Sequence, residues 1–485
     1  MKIVFAASEA APYIKTGGLG DVGQALPKAL AAEGHTVKVV LPLYKGIRAK
    51  AELFENLTFV KAVNTPLAWR NQYTGIFRTG EETNPEYIFI DNEYYFARSN
   101  GYIYGDYDDG ERFAYFSRAI IEVLKALDIT PDVIHCNDWQ TALLPVFLRE
   151  FYPQYNKVRT VFTIHNIEYQ GKMPLDFASD VIGVDCDTAA ALTYDGCINL
   201  MKGAIVYADA VTTVSETYST EILGEYYSHG LHYVLRDVRD KLTGIVNGID
   251  TEVFDPSTDK MLYTTYGATV EAFKDKAKNK LFLQEKLGLI PDSDAPIVAM
   301  VTRLVSHKGM DLVACVVNEI MALGVQLVVL GTGDQAYEEI LKRTAERYPG
   351  KMAALIMFDP VLANRIYAGA DIFLMPSKSE PCGLSQMVAM RYGTVPVVRE
   401  TGGLKDTVTP YNPVDKTGRG FTFVDYNAHE MLRAVERCTD LYRNDKKAFE
   451  RLCRNDMKTD FSWKVSVKKY LKVYKRPSKN NSASN

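Results

Sequence analysis

The chain predicts an α/β protein built as two doubly wound, mostly parallel sheets, and three observations carry that prediction. Short β-branched runs alternate with helix-length stretches throughout, the pattern of parallel βαβ units. The alternation lapses after residues 241–250 and restarts at Ile297. At 485 residues the chain is also too long for one core, since domains average about 100–200 residues.

In the first half the expected strands are residues 3–7, 37–41, 87–90, 133–136, 158–164 and 210–214, with a last one within 241–250; residues 22–32 read as a helix. A polar, lysine-rich helix over 271–287 follows the expected boundary. Strands at 297–301, 326–330, 354–357, 372–375 and 395–398 then alternate with helices such as 310–323 and 335–348. Phe461-Ser462-Trp463 opens an amphipathic helix through Tyr474. The predicted division is 1–245, 246–460, a helix over 461–476 crossing back to the first domain, and a polar tail over 477–485 expected to be disordered.

Composition narrows the partners. A net charge of −4, with no dense Lys/Arg block before the last helix and tail, advertises neither nucleic acid nor an anionic membrane. No run of about 18 apolar residues occurs, and the apolar start is too short for a signal peptide, so a cytoplasmic protein is expected. Seven scattered cysteines without C-x-x-C spacing read as reduced thiols, and the histidines show no paired metal spacing, so no metal is expected.

The chemistry concentrates where strands end. Lys15-Thr16-Gly17-Gly18-Leu19-Gly20-Asp21-Val22 lies between the first strand and the first helix and reads as a glycine loop aimed at a ligand. Bare glycines let N–H groups approach a phosphate or sugar, a helix N-terminus favours negative charge, and Lys15 adds a mobile cation, so an anionic donor fits. Residues 18–23 also spell the G-x-G-x-x-G of nicotinamide enzymes. That fingerprint needs a tight strand-to-glycine turn and an acidic residue ending the second strand. Here Ser8 to Thr16 intervene, and the second strand runs into Pro42-Leu43-Tyr44, so both details count against a dehydrogenase.

Arg303 and Lys308 follow the strand at 297–301, at the sheet edge where open α/β folds bind ligands. A guanidinium fork and an ammonium together suit a departing pyrophosphate. Glu380, in Ser377-Lys378-Ser379-Glu380-Pro381-Cys382-Gly383-Leu384-Ser385, repeats that placement as a candidate grip on sugar hydroxyls; the plainer reading is charge in a first helical turn. Thr401-Gly402-Gly403-Leu404 adds a further loop of backbone donors. In the first half, Asp138 and His165 end strands facing the same expected cleft, and either reads equally well as a core residue. The pairs Asp106/Asp108 and Asp185/Asp187 have D-x-D spacing but read as solvated turns.

Together with Ser8-Glu9-Ala10-Ala11-Pro12, Tyr169-Gln170-Gly171 and Asn247-Gly248-Ile249-Asp250, these motifs closely resemble those of bacterial glycogen synthases and plant starch synthases over nearly the whole chain. The resemblance implies two Rossmann-like domains facing a cleft (the GT-B arrangement). It also implies a retaining transfer of glucose from ADP-glucose to the nonreducing end of an α-1,4-glucan, without cofactor or metal. By the same resemblance, Lys15, Gly17 and Gly18 face the donor phosphates and glucose with Asp21 nearby, Arg303 and Lys308 neutralise the leaving ADP, and Glu380 and His165 hold glucose hydroxyls. Asp138 and Asn247 complete the sugar pocket; Cys382, Gly383, Leu384, Thr401, Gly402 and Gly403 line phosphate and ribose; Glu9 lies on the acceptor side.

One departure stands out. Related retaining transferases often carry a second Glu for the ribose where this chain has Val388, so the ribose contact comes from elsewhere. Retention normally suggests a carboxylate nucleophile and a covalent intermediate, a route the residues leave open for Asp138 or Glu380; the resemblance implies instead a front-face route in which the leaving phosphate takes the acceptor's proton. A UDP-glucose-dependent sibling and a silent glucan-binding protein are the alternatives; the presence of Lys15, Arg303, Lys308 and Glu380 counts against the second. Glycogen or starch as product, and the oligomeric state, stay open.

Overall fold

The computed structural model describes residues 1–98 and 103–476; the tail from residue 477 lies outside the described residues. The chain divides into two compact units, Met1–Asn247 joined by the chain from Trp463, and Gly248–Ser462.

The strands of the first unit are β1 (Lys2–Ala6), β2 (Thr36–Pro42), β3 (Thr58–Leu67), β4 (Arg70–Arg78), β5 (Glu86–Asp91), β6 (Val133–Asn137) and β7 (Arg159–Ile164). Three short ones follow, β8 (Lys172–Met173), β9 (Thr193–Tyr194) and β10 (Cys197–Asn199), then β11 (Ala210–Thr213) and β12 (Leu242–Gly244). Nine of them make one sheet in the order β12-β11-β7-β6-β1-β2-β5-β4-β3, and β8, β10 and β9 make a small antiparallel one. Seven neighbours, β12 through β5, run parallel, and β4 and β3 add an antiparallel hairpin at the edge. Parallel strands are covered on both faces, which is why β1, β6, β7 and β11 are buried almost throughout.

The hairpin was not legible because β3 is mostly exposed and lacks an apolar run, and its turn, Ala68 (φ 48°) and Trp69, carries no Asn or Gly. The last helix, Trp463–Lys475, belongs to the first unit: its Tyr474 hydroxyl meets His135 Nδ1 at 2.7 Å, and Val473 O accepts from Arg159 Nε at 2.9 Å.

The second unit holds β13 (Ile297–Val301), β14 (Gln326–Leu330), β15 (Met352–Leu355), β16 (Ile372–Met375), β17 (Val395–Arg399) and β18 (Phe421–Phe423), all parallel, in the order β15-β14-β13-β16-β17-β18. Only the three-residue β18 escaped the sequence reading. The lysine-rich stretch differs from expectation. It is two helices, Val270–Phe273 and Lys276–Lys286, and Lys276 and Lys280 are buried. Lys276 Nζ donates to Ala368 O at 2.8 Å and Thr394 Oγ1 at 2.9 Å, with burial lowering its pKa to about 8, while Lys280 pairs with Asp371 at 2.8 Å.

Both sheets are wound outward from a central pair. In the first unit the chain leaves β1 toward β2 and later returns to β6 on the other side; in the second it leaves β13 toward β14 and returns to β16. The crevice beyond the carboxyl ends of such a pair is where open α/β sheets bind ligands. The loops after β1, β6, β7 and β12 in the first unit, and after β13, β16 and β17 in the second, carry the candidate residues. Among the described residues, no helix is long and apolar enough to cross a membrane.

Candidate active site

At the first switch point, β1 runs into Ser8, Glu9 and the glycine loop. The helix begins at Gly18, not at Val22, so Gly17 is its cap residue and Asp21 stands in its first turn. Lys15 Nζ pairs with Asp21 Oδ1 at 2.6 Å, and burial holds the Asp21 carboxyl above its usual range against the pull of Lys15. Two of the glycines of the G-x-G-x-x-G spacing have a local packing reason. A Cβ on Gly20 would stand 2.7 Å from Lys15 Cγ, and one on Gly23 would stand 2.4 Å from Glu9 O.

Glu9 is turned inward. Buried at 3% exposure, its carboxylate accepts from Thr16 N, Thr16 Oγ1 (2.8 Å), Gly17 N (3.2 Å) and the Tyr104 hydroxyl (2.7 Å). These contacts tie the Glu9 carboxyl to the loop and hold the loop's backbone in place. Tyr104 carries no motif that would have singled it out.

The turns after the neighbouring strands β6 and β7 bring Asp138 and His165 together. Asp138 sits at φ 54°, a conformation that costs a non-glycine residue roughly 1–3 kcal/mol and that clusters at functional sites. Its Oδ1 accepts from His165 N (2.8 Å) and Asn166 N (3.4 Å), and burial raises its pKa to about 7. Asn137 was overlooked although it ends β6. Its Nδ2 donates to Ala6 O at 2.9 Å, so its Oδ1 must be the acceptor 2.9 Å from His165 Nε2. His165 is therefore the Nε2–H tautomer with Nδ1 free to accept, and burial lowers its pKa to about 3. His135, held between Tyr474 and Thr163 Oγ1, is a core histidine. Asn247 is buried, and its Oδ1 has no partner among the described residues.

At the second switch point, the loop after β13 carries Arg303, exposed and 3.3 Å from His307 Nε2, and Lys308, which ends a short 3-10 turn. The loop after β16 carries Glu380, 7% exposed, which accepts from Lys308 Nζ at 2.7 Å and from Ser377 Oγ at 3.0 Å. Lys378 N donates to His307 O at 2.9 Å, so the two loops are stitched together. Cys382 and Thr401 are buried, Gly383 adopts φ 70° before the helix Ser385–Arg391, and Gly402 and Gly403 open the helix Gly402–Thr407.

The D-x-D pairs have local partners. Asp108 forms a two-pronged pair with Arg98, and Asp106 faces Arg112 at 3.2 Å; both are largely buried, which corrects the expectation of solvated turns. Asp185 caps the helix Cys186–Leu192 by accepting from Thr188 N at 2.8 Å, and Asp187 is exposed. Among the described residues no three His, Cys, Asp or Glu side chains gather as a metal site.

Two doubly wound units, each with charged and glycine loops at its switch point, define the chain as a glycosyltransferase of the GT-B type. Its residues 2–237 match the starch synthase catalytic domain and 285–452 match the glycosyl transferases of group 1. It belongs to the glycogen synthase family, being 47% identical over 480 residues to the glycogen synthase of Desulfitobacterium hafniense, with 98% of each chain covered, and 47% identical over 484 residues to that of Geobacillus stearothermophilus, again with 98% of each covered. The catalytic domain of starch synthase IV from Arabidopsis thaliana, bound to ADP and acarbose, superposes with a TM-score of 0.88 at 34% identity, covering 100% of this chain and 99% of that one. Sucrose-phosphate synthase from Thermosynechococcus elongatus, at 17% identity and a TM-score of 0.60, shares the fold.

Proposed function

We propose that the chain transfers glucose from ADP-glucose to the nonreducing end of an α-1,4-glucan, with retention and without metal, in the cytoplasm. The observation that carries the reading is the Lys308–Glu380 pair spanning the β13/β16 switch point, with Arg303 on the same loop as Lys308. It sets two cations for a diphosphate beside a carboxylate for sugar hydroxyls. The starch synthase IV neighbour, solved with ADP, supports adenine over uracil in the donor.

In this mechanism Arg303 and Lys308 take up the charge that grows on the β-phosphate as its bond to glucose C1 breaks. The acceptor's 4-hydroxyl oxygen bonds to C1 on the face the phosphate leaves, and its proton passes to the departing phosphate oxygen. Glu380 accepts hydrogen bonds from the glucose hydroxyls. In the first unit, neutral His165 offers Nδ1 as an acceptor, and Asp138, ionised above about pH 7, opposes the positive charge developing at the anomeric centre. Lys15, paired with Asp21 until donor binds, lends its charge to the phosphates, while the backbone of Gly17, Gly18, Gly402 and Gly403 and the side chains of Cys382, Leu384, Thr401 and Asn247 line the donor. Glu9 acts through the loop it holds.

Incubation of purified protein with a glucan primer and ADP-glucose or UDP-glucose tests the reading. Chain extension from ADP-glucose is expected; extension only from UDP-glucose would replace the donor, and none from either would overturn the activity.

A further inference from the structure

Gln386, in the first turn of the helix Ser385–Arg391, is fully buried, and its Nε2 donates to Gly383 O at 2.9 Å, Thr407 Oγ1 at 3.0 Å and Cys382 O at 3.2 Å. Thr407 closes the helix Gly402–Thr407 and gives its own proton to Gly403 O at 2.6 Å, so its oxygen meets Gln386 as an acceptor. Every neighbour of Nε2 is then an acceptor. That fixes the amide's orientation and requires a donor there, which glutamine supplies and an ionised glutamate cannot.

The bracket joins two loops that already touch through backbone. Gly403 N donates to Glu380 O and Pro381 O, both at 3.2 Å. A Cβ on Gly402 would stand 2.1 Å from Glu380 O, and one on Gly403 would stand 2.0 Å from Cys382 O. The segment carrying Glu380 and the segment of residues 401–403 therefore have almost no room to shift independently, and Gln386 with Thr407 supplies the side-chain hydrogen bonds that hold them in register.

We infer that Gln386, acting through Thr407, is a positioning residue for glucosyl transfer: it fixes the Glu380 loop against the loop of residues 401–403, so that the carboxylate and the glycine backbone present one rigid surface to the donor. The inference rests on the glucosyltransferase reading above. Displacing a reacting group by about 1 Å costs about 100-fold in rate, so loosening this bracket should cost roughly 10- to 100-fold in turnover.

The test compares Gln386→Glu, Thr407→Val, the double variant and Thr407→Ser, which keeps the hydroxyl. Donor kcat/KM, acceptor KM, ADP affinity by calorimetry and melting temperature are measured for each. Expected are a 10- to 100-fold loss of donor kcat/KM in Gln386→Glu and Thr407→Val with weakened ADP binding, acceptor KM held, Thr407→Ser near wild type, and a double variant little worse than the poorer single one. Should Gln386→Glu fail to fold, Thr407→Val against Thr407→Ser carries the same comparison. Wild-type turnover in all variants, or a loss that follows melting temperature and strikes donor and acceptor alike, overturns the positioning role. An inactive wild type would instead overturn the functional reading.

Discussion

Replacing Asp138 with Asn should make the protein more stable and less active, with a pH dependence set by one buried carboxyl. The amide keeps an oxygen for the His165 and Asn166 N–H groups at 2.8 and 3.4 Å, so local geometry is retained while the charge goes. Burial raises the Asp138 pKa from 3.8 to about 7 in the folded protein. A raised carboxyl favours folding only while protonated. Below about pH 4 both states are neutral and the substitution changes little; between about pH 4 and pH 7 the unfolded chain ionises while the folded one resists; above pH 7 the folded protein bears the full cost of a buried charge. At about 1.36 kcal/mol per pH unit the ceiling is about 4 kcal/mol, lowered by the residue's partial exposure. At about 2–4 °C per kcal/mol, Asp138→Asn should melt several degrees above wild type at pH 8, with a clearly smaller gain at pH 5. Turnover should fall by about 100-fold or more, as when one preorganised electrostatic partner is lost. Calorimetry at the two pH values with a glucan-extension assay makes the comparison. A variant melting at or below wild type at pH 8, or one keeping full turnover, would refute the assignment.

Three further outcomes are expected. Glu9→Ala removes the oxygen that accepts from both Thr16 N and Gly17 N and leaves these loop N–H groups unsatisfied, at about 1–3 kcal/mol, so hydrogen exchange at Thr16 and Gly17 should quicken and turnover drop; unchanged exchange would put Glu9 outside the loop clamp. Arg303→Ala should cost about 10²–10³ in turnover with an unaltered circular dichroism spectrum, whereas Lys308→Ala should also lower the melting temperature because it strands buried Glu380. Activity should survive dialysis against excess EDTA, since protein cations do the work a metal would do on the diphosphate; loss of activity restored by Mg²⁺ or Mn²⁺ would contradict that.

Most of the scaffold was legible because a buried parallel strand is written as an unbroken apolar run, and 297–301, 326–330 and 372–375 were read to the residue. The edge hairpin β3–β4 was hidden by its exposure and its unmarked turn. Candidate site residues stood out where a charged or glycine motif followed a strand, as with Arg303, Lys308, Glu380 and residues 401–403. Their partners did not. Asn137, Tyr104, Gln386 and Thr407 owe their places to contacts across strands and loops that no spacing reveals. Glu9 shows the reverse case, a motif residue whose carboxylate the fold turns toward its own loop. The burial of Lys276 and Lys280 in the polar, lysine-rich stretch was not legible because their acceptors, Ala368 O and Asp371 among them, lie far along the chain.

Glucosyl transfer from ADP-glucose is tested most directly by following its reaction with a short α-1,4-glucan primer by proton NMR, alongside UDP-glucose under the same conditions. The account predicts new α-1,4 linkages and free ADP in equal amounts, with UDP-glucose consumed far more slowly. Inverted β-linkages, release of free glucose without chain extension, or a preference for UDP-glucose would contradict it.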